Sequence, residues 1–431
     1  MILYKNNNCD SVSLNGISIK KPIDWQKKIV KNEIYLKARI GWQGLKNSEF
    51  IKEGFFFCVT GKDFKENKID WKKCYKVQED RFMQDKKIQL SSGDVLITKD
   101  GTIGKIALVE NIPDKHYATL NSGVFVSRSK TINNLFWFYL LKSFVFKDFI
   151  DKQKSGSTIL HLNQKSFESF EFIAPSIEEQ KRIADVLSKQ ESIINKTKDL
   201  IEQLDKRNTF MQDELLSGRL RIKEEDGQVE FYKNPDDNWQ TVLMNNIDYI
   251  IPLDWDILSL EHSDCSMGET ILKSNILTDG EYPVYSATES DKIFGYINNP
   301  KKILEIGDLI ISARGTIGYV KIAKQKCTST QTTIQLKVNE ITPIYLSTVL
   351  NNKRADFFPI SGGAVPQITI SQVKSIKISK PKQEKEIFNI TNIIEKLNDE
   401  KEKYEELLIE EQKKFDFLLE ELMSGRLRIE E

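Results

Sequence analysis

Ser217-Gly218-Arg219-Leu220-Arg221-Ile222 returns unchanged as Ser424-Gly425-Arg426-Leu427-Arg428-Ile429, 207 positions further along the chain. Both runs follow an acidic-Glu-Leu-hydrophobic tetrad, Asp213 to Leu216 and Glu420 to Met423. Three more echoes occur in the same order. Gly93-Asp94 with Gly101-Thr102-Ile103-Gly104 is matched by Gly307-Asp308 with Gly315-Thr316-Ile317-Gly318, at an offset of 214. Pro22-Ile23-Asp24-Trp25 is matched by Pro252-Leu253-Asp254-Trp255, at 230, and Ser155-Gly156 with Pro175 by Ser361-Gly362 with Pro381, at 206. Four ordered matches exclude chance, so the chain is a duplication, and that decides its architecture. The fall from 230 to 206 places 24 extra residues in the first copy, between its Trp and its closing Pro.

Each copy has two parts. From Trp25 to Ala174 and from Trp255 to Lys380, short β-rich runs such as Asp94-Val95-Leu96-Ile97-Thr98 and Asp308-Leu309-Ile310-Ile311-Ser312 end in glycine turns, the pattern of a mixed domain. After the closing proline the period changes. Pro175-Ser176 with Glu178 and Glu179 makes a helix start. Ile183, Leu187, Ile194, Ile201, Leu204, Met211 and Leu215 then fall on two heptad positions, interrupted by Gln190, Thr197 and Asn208. The second copy keeps this frame with Ile390, Ile394, Leu397, Tyr404, Leu408, Phe415, Leu418 and Leu422, interrupted by Lys401 and Glu411. Neither run holds Gly or Pro before Gly218 and Gly425, which read as helix stops.

Two helices of about 40 residues would each be on the order of 60 Å long. Their apolar stripes must be buried, and the simplest partner for each is the other. An antiparallel pair spares the connector a return along the whole rod. The expected fold is therefore α+β: two α/β-type domains separated by a long antiparallel two-helix coiled coil, in a pseudo-twofold internal repeat. The expected boundaries are an N-terminal segment 1–21, a first domain 22–175, a helical region 176–222, a connector 223–251, a second domain 252–381 and a second helical region 382–431.

Composition narrows the function. The 431 residues carry 63 basic and 63 acidic side chains, and that balance taken alone argues against a strong nucleic-acid binder. The sum conceals a surplus of ten positive charges over residues 20–175, an even balance over 231–382, and acidic helical regions. Five cysteines without short spacing exclude a disulfide scaffold and a Cys-x-x-Cys zinc site, and favour a reducing cytoplasmic setting. Met1 to Asp10 has neither a basic start nor a long apolar run and does not read as a signal peptide. No run approaches the roughly 20 apolar residues of a membrane span. There is no Gly-x-x-x-x-Gly-Lys-Ser/Thr loop, no Asn/Asp-Pro-Pro-Tyr/Phe element and no His-Glu-x-x-His helix. The sequence reads as a binder, not an enzyme. Two similar but unequal domains at a fixed separation suit a split, asymmetric DNA site, since the duplex repeats every 34–36 Å or so.

Taken together, the hexamer after each long helix, the Gly-Thr-Ile-Gly turn in each copy, the Pro-x-Asp-Trp opening and the Pro-x-x-Glu-x-Gln helix start (Pro175, Glu178, Gln180) resemble the specificity subunit of type I restriction–modification enzymes. The resemblance covers nearly the whole chain. It implies two target-recognition domains, each reading half of a bipartite site in double-stranded DNA. It further implies helices that space the halves and dock two methyltransferase subunits, with motor–nuclease subunits completing the complex. S-adenosylmethionine, ATP and Mg²⁺ would bind those partners and not this chain, and no membrane is involved. One departure is the second helix start, Pro381-Lys382-Gln383-Glu384-Lys385-Glu386, where Gln180 has no clean counterpart. The alternative is a coiled-coil scaffold whose duplicated domains bind proteins, with salt-insensitive binding.

Candidate DNA contacts lie where the copies share a frame and differ in side chain. Lys99 and Lys105 flank the first Gly-Thr-Ile-Gly turn and Arg314 the second; Arg314 suits guanine in the major groove and Lys105 a phosphate. The glycines themselves read as tight turns between core strands. Lys152, Lys154 and Ser155 adjoin one small polar loop, and Lys353 and Arg354 precede the other. His161 and Gln367 align between copies as candidate base readers. Arg219, Arg221, Arg426 and Arg428 lie past the helix ends, where basic groups complement the helix dipole. Their repetition points to partner or helix docking, each beside the opposite copy's domain or a methyltransferase.

Overall fold

The computed structural model describes residues 3–6, 8–154, 161–225, 228–289, 292–358 and 367–430. The chain forms two compact units, Met1–Thr197 with Leu407–Glu431, and Lys198–Glu406. Each unit combines a mixed domain from one copy with a stretch of helix from both. The long helices are Ile177–Leu216 and Glu384–Met423, 40 residues each, as the heptads require.

Inside unit 1 a four-stranded antiparallel sheet runs in the order Ile106–Leu108, Val95–Thr98, Val124–Ser129, Ile34–Ala38. A three-stranded sheet sets Phe56–Val59 between a parallel Tyr117–Leu120 and an antiparallel Tyr75–Val77. Unit 2 repeats the plan. Its four-stranded order is Val320–Ile322, Leu309–Ser312, Thr333–Leu336, Cys265–Met267, and Tyr282–Tyr285 lies between a parallel Thr328–Ser329 and an antiparallel Gly295–Ile297. A helix follows each larger sheet: Asn134–Lys142, capped by the Asn133 side chain, and Pro343–Asn352, capped by Thr342 with Pro343 at its first position. Twelve of the 24 extra residues of the first copy fall between Phe56 and Val95, where unit 1 carries the hairpin Phe64–Lys65/Lys68–Ile69 and the short helix Glu79–Met83.

The sequence division sets 1–21 and 223–251 outside the repeat; the structure brings them into it. Cys9–Leu14 pairs with Ile17–Pro22 across Asn15-Gly16, and Trp239–Met244 with Ile247–Pro252 across Asn245-Asn246. All four turn residues have positive φ, the requirement of a two-residue hairpin turn. Upstream, Leu3–Lys5 pairs with Leu427–Ile429 as Gln228–Lys233 pairs with Leu220–Glu225. The echo Tyr4-Lys5-Asn6 against Tyr232-Lys233-Asn234 is the sequence trace of this equivalence.

Within unit 2 the helices run antiparallel: Asn208 donates to the Leu397 carbonyl at 2.8 Å and Lys401 to Asp205 at 2.6 Å. In unit 1 Gln190 reaches Glu411 while Glu179 meets Arg428, again with falling partner number. The polar interruptions Gln190, Thr197 and Asn208 are buried, and Gln190 and Asn208 are satisfied across the helix pair. Ile183, Leu187 and Ile194 share a core with Phe415, Leu418 and Leu422, and Leu215 one with Ile390 and Ile394.

Two of the repeated motifs prove to be halves of one contact. Arg428 lies between Asp24 and Glu179, with four hydrogen bonds of 2.7–2.9 Å. Arg221 lies between Asp254 and Glu386 in the same way, at 2.6–3.1 Å. Gly425 and Gly218, at φ +70° and +73°, lie so close to the repeated Pro-x-Asp-Trp that a Cβ would meet Pro22 or Pro252 at 2.4 Å. The hexamer therefore ends a helix, turns, and clasps the opening of a mixed domain and the first turn of the other helix. Gln180 belongs to the same junction in unit 1: buried, it donates to the Pro175 carbonyl and accepts from the Asn133 amide. Its equivalent in unit 2 is the apolar Ile387, also buried, so this departure alters an internal contact.

Arg221→Ala leaves Glu386 buried without its partner, and the expected loss is about 3–5 kcal/mol of unit 2 stability, read by denaturant titration. Hydrogen bonds from Arg221 hold the Asp254 carboxyl below its ordinary 3.8. Its contribution is complete above pH 3.8 and is lost as pH falls below it. Asp254→Asn should therefore flatten the acid limb of the unfolding curve.

Candidate nucleic-acid interface

The Gly-Thr-Ile-Gly segments close the hairpins between Val95–Thr98 and Ile106–Leu108, and between Leu309–Ser312 and Val320–Ile322. All four terminal glycines have φ between +71° and +81°. A Cβ at Gly104 would strike Ile150 at 2.9 Å, and one at Gly318 would strike Phe358 at 2.4 Å. These glycines thus supply left-handed backbone and room for the segment that follows the sheet. That fixes the residue just before each turn, Asp100 or Arg314, at the edge of a rigid frame.

Across from that residue the chain returns. The Leu162 amide donates to the Lys99 carbonyl at 2.8 Å, and the Ile368 amide to the Ala313 carbonyl at 2.9 Å. This shared bond brings His161 beside Asp100 and Gln367 beside Arg314. The His161 imidazole Nδ1 meets the Asp100 carboxylate, and Arg314 Nε donates to Gln367 Oε1 at 2.9 Å. All four side chains are exposed. The two frames are superposable in bonding and unlike in chemistry.

The other sequence candidates divide. Lys99 is half-buried, with its amine 5.5 Å from the centre of the Phe125 ring and 4.0 Å from Asp100. Lys105 is exposed and borders a cleft of about 690 Å³ shared with Asp100, Lys62, Tyr75 and Asn121. On its other side it borders a shallower groove of about 500 Å³ with Lys147 and Lys154. Lys154 pairs with Asp151 at 2.8 Å; Lys152 pairs with Asp148 at 3.0 Å and donates to the Asn15 carbonyl at 3.0 Å. Ser155, and with it both small polar loops, lies outside the described residues. Lys353 packs over the Tyr249 ring, and burial pulls its amine below the ordinary lysine value. Arg354 braces the second turn by donating to the Ile317 carbonyl and pairs with Glu289 at 2.8 Å. Arg219 pairs with Asp213 and Glu214, and Arg426 with Glu421, at exposed positions. Arg221 and Arg428 occupy the clasps, each against the opening of the other copy's mixed domain.

Lys62 and Tyr75 were not legible as site residues, because they lie in the stretch from Phe56 to Val95, which holds half of the unmatched length; Asn121 joins them across the same cleft. Beneath the cleft, burial raises the Asp63 carboxyl against hydrogen bonds from the Thr60 amide and hydroxyl. Among the described residues no three of His, Cys, Asp and Glu converge as a metal site would need, and no helix is long and apolar enough to cross a membrane.

Residues 41–206 and 254–410 match the family of the type I restriction modification DNA specificity domain, one match in each copy. The chain belongs to this family. A putative type I restriction enzyme MjaX specificity subunit of Methanocaldococcus jannaschii is 25% identical over 446 residues, covering 99% of this chain and 98% of the relative. The MjaVIII specificity subunit of the same organism is 27% identical over 206 residues, 47% of this chain and 48% of its own length. Among solved structures, the S subunit of a type I restriction–modification system from M. genitalium shares the fold with a TM-score of 0.59 at 16% identity, covering 97% of both chains. A chain from a structural study of complex assembly in the type I R-M system gives 0.52 at 17% identity, covering 95% of this chain and all of the other. The specificity-family fold is thus present with both recognition domains and the helix pairing.

Gly318→Ala should test the rigidity of the second frame. The strained φ and the Phe358 contact predict a loss of more than about 1 kcal/mol, seen as a lower Tm, with the Arg314–Gln367 pair displaced.

Proposed function

We propose that this chain is the DNA-recognition subunit of a type I restriction–modification complex, non-catalytic in itself. Each mixed domain reads one half of a bipartite, asymmetric target. The observation that carries this is the paired frame: one backbone arrangement, anchored by the same turn and the same returning amide, displays Asp100–His161 in one copy and Arg314–Gln367 in the other. A scaffold that binds proteins has no need of such a substitution within a fixed frame; a reader of two different half-sites does.

Lys105 borders the first frame and Lys154 the groove beside it; with Lys152 they suit phosphates, which position a duplex without specifying it. The excess charge over residues 20–175 supports that role. In the second domain, whose charges balance, Arg314 with Lys353 and Arg354 is the local basic group, and partner subunits add phosphate contacts. The long helices set the distance between half-sites and dock two methyltransferase subunits, with Arg219 and Arg426 at the helix ends as part of that surface. Motor–nuclease subunits complete the assembly. S-adenosylmethionine, ATP and Mg²⁺ belong to those partners in this reading.

Gel-shift of the chain with its methyltransferase subunits, over a salt series, is the direct test. Binding to duplex DNA should weaken steeply and log-linearly with salt; salt-insensitive binding to protein alone would favour the scaffold. Removal of one heptad from each long helix at facing positions should shorten the unread gap of the target, read by mapping methylated bases. An unchanged gap would remove the helices from the role of ruler.

A further inference from the structure

The two frames offer opposite hydrogen-bonding polarity. In unit 2, Arg314 Nε donates to Gln367 Oε1 at 2.9 Å, so the one acceptor of the pair is engaged. What remains are the two terminal guanidinium nitrogens and the carboxamide NH₂, all donors, against one spare lone pair on Oε1. In unit 1 the Asp100 carboxylate can only accept, so the imidazole places its N–H at Nδ1 against Oδ1. Asp100 Oδ2 keeps its lone pairs, with the Lys99 amine no closer than 4.0 Å. What the carboxylate still offers there is an acceptor. Both side chains of this pair are nearly half exposed, 47% for Asp100 and 45% for His161.

Base edges in the major groove differ in this same property. Guanine shows two acceptors, N7 and O6; cytosine shows only the N4 amino donor; adenine mixes N7 with an amino group; thymine shows O4 beside a methyl. A pair dominated by donors is best satisfied by guanine. The carboxylate of Asp100 is repelled by N7 on either purine and by thymine O4, which leaves cytosine. A carboxylate beside the duplex also works against phosphate attraction, so Asp100 is a poor choice for general affinity and a sound one for selectivity.

We infer that the two pairs are base readers of opposite sense. Arg314–Gln367 selects a guanine in one half-site, with Gln367 orienting the guanidinium fork, and Asp100–His161 selects a cytosine in the other. This rests on the reading of the chain as a DNA-specificity subunit and adds to it which base class each frame takes.

The test uses the full chain in complex with its methyltransferase subunits and a pool of duplexes randomised across the target, with bound duplexes sequenced. The parent complex should select one bipartite motif containing both bases. Arg314→Ala should relax one guanine by at least about tenfold and leave the other half-site untouched. Asp100→Asn should relax one cytosine by a similar factor, and the pair Asp100→Arg with His161→Gln should convert that cytosine to guanine. Arg314→Lys, which keeps charge and length but lacks the fork, should relax the guanine too, and with Asp100→Asn it decides the matter if the larger changes fail to fold. Unchanged preferences, or an even weakening across all sequences, would overturn the inference while leaving DNA binding intact. A parent complex that binds no duplex at all would overturn the functional reading itself.

Discussion

A guanidinium held between two carboxylates is the interaction on which each unit depends. Arg428 joins Asp24 to Glu179, and Arg221 joins Asp254 to Glu386. In each case three separate pieces of chain meet: the tail past one long helix, the opening of a mixed domain, and the first turn of the other helix. A buried Arg is costly to desolvate and is retained only where its fork is filled on both sides. The planar geometry then fixes the angle at which the helix leaves the domain. The neighbouring glycine, pressed against proline and tryptophan, admits no other residue without displacement.

Duplication made the architecture legible. A hexamer repeated without change, with three further echoes at shifting offsets, gave the number of domains and the interval over which the first copy is longer, and the heptads that precede each hexamer gave the long helices. The antiparallel pairing followed from chain economy, and Gln190 and Asn208 turned out to be buried cross-helix donors at the places where the apolar stripe is broken. What stayed hidden was the membership of 1–21 and 223–251 in the repeat. Their match is three residues, Tyr-Lys-Asn, and a turn in which Asn15-Gly16 is replaced by Asn245-Asn246. Both solutions supply positive φ, so the backbone is kept while the letters change.

The site was legible in part. Arg314, His161 and Gln367 were each singled out from alignment of the copies, yet nothing in one dimension says that position 100 faces 161 or that 314 faces 367. That juxtaposition comes from a returning amide, Leu162 to Lys99 in one copy and Ile368 to Ala313 in the other, a long-range bond with no local signature. Arg221 and Arg428 show the opposite case: a repeated basic residue that serves the interior of the fold. Lys353, read from proximity to a small polar loop, is half-buried on Tyr249 because the residue after a helix end falls back onto the nearest hairpin. Charge counts alone do not separate these roles; burial and partner geometry do.

The strand Leu3–Lys5 completes its ladder with Leu427–Ile429, and the same unit takes its Arg from position 428. Unit 2, by contrast, is drawn from one continuous stretch, Lys198–Glu406. A ribosome therefore makes every part of unit 2 before the segment that unit 1 still needs. The earlier-born half waits, its clasp open, for a tail synthesised some four hundred residues later.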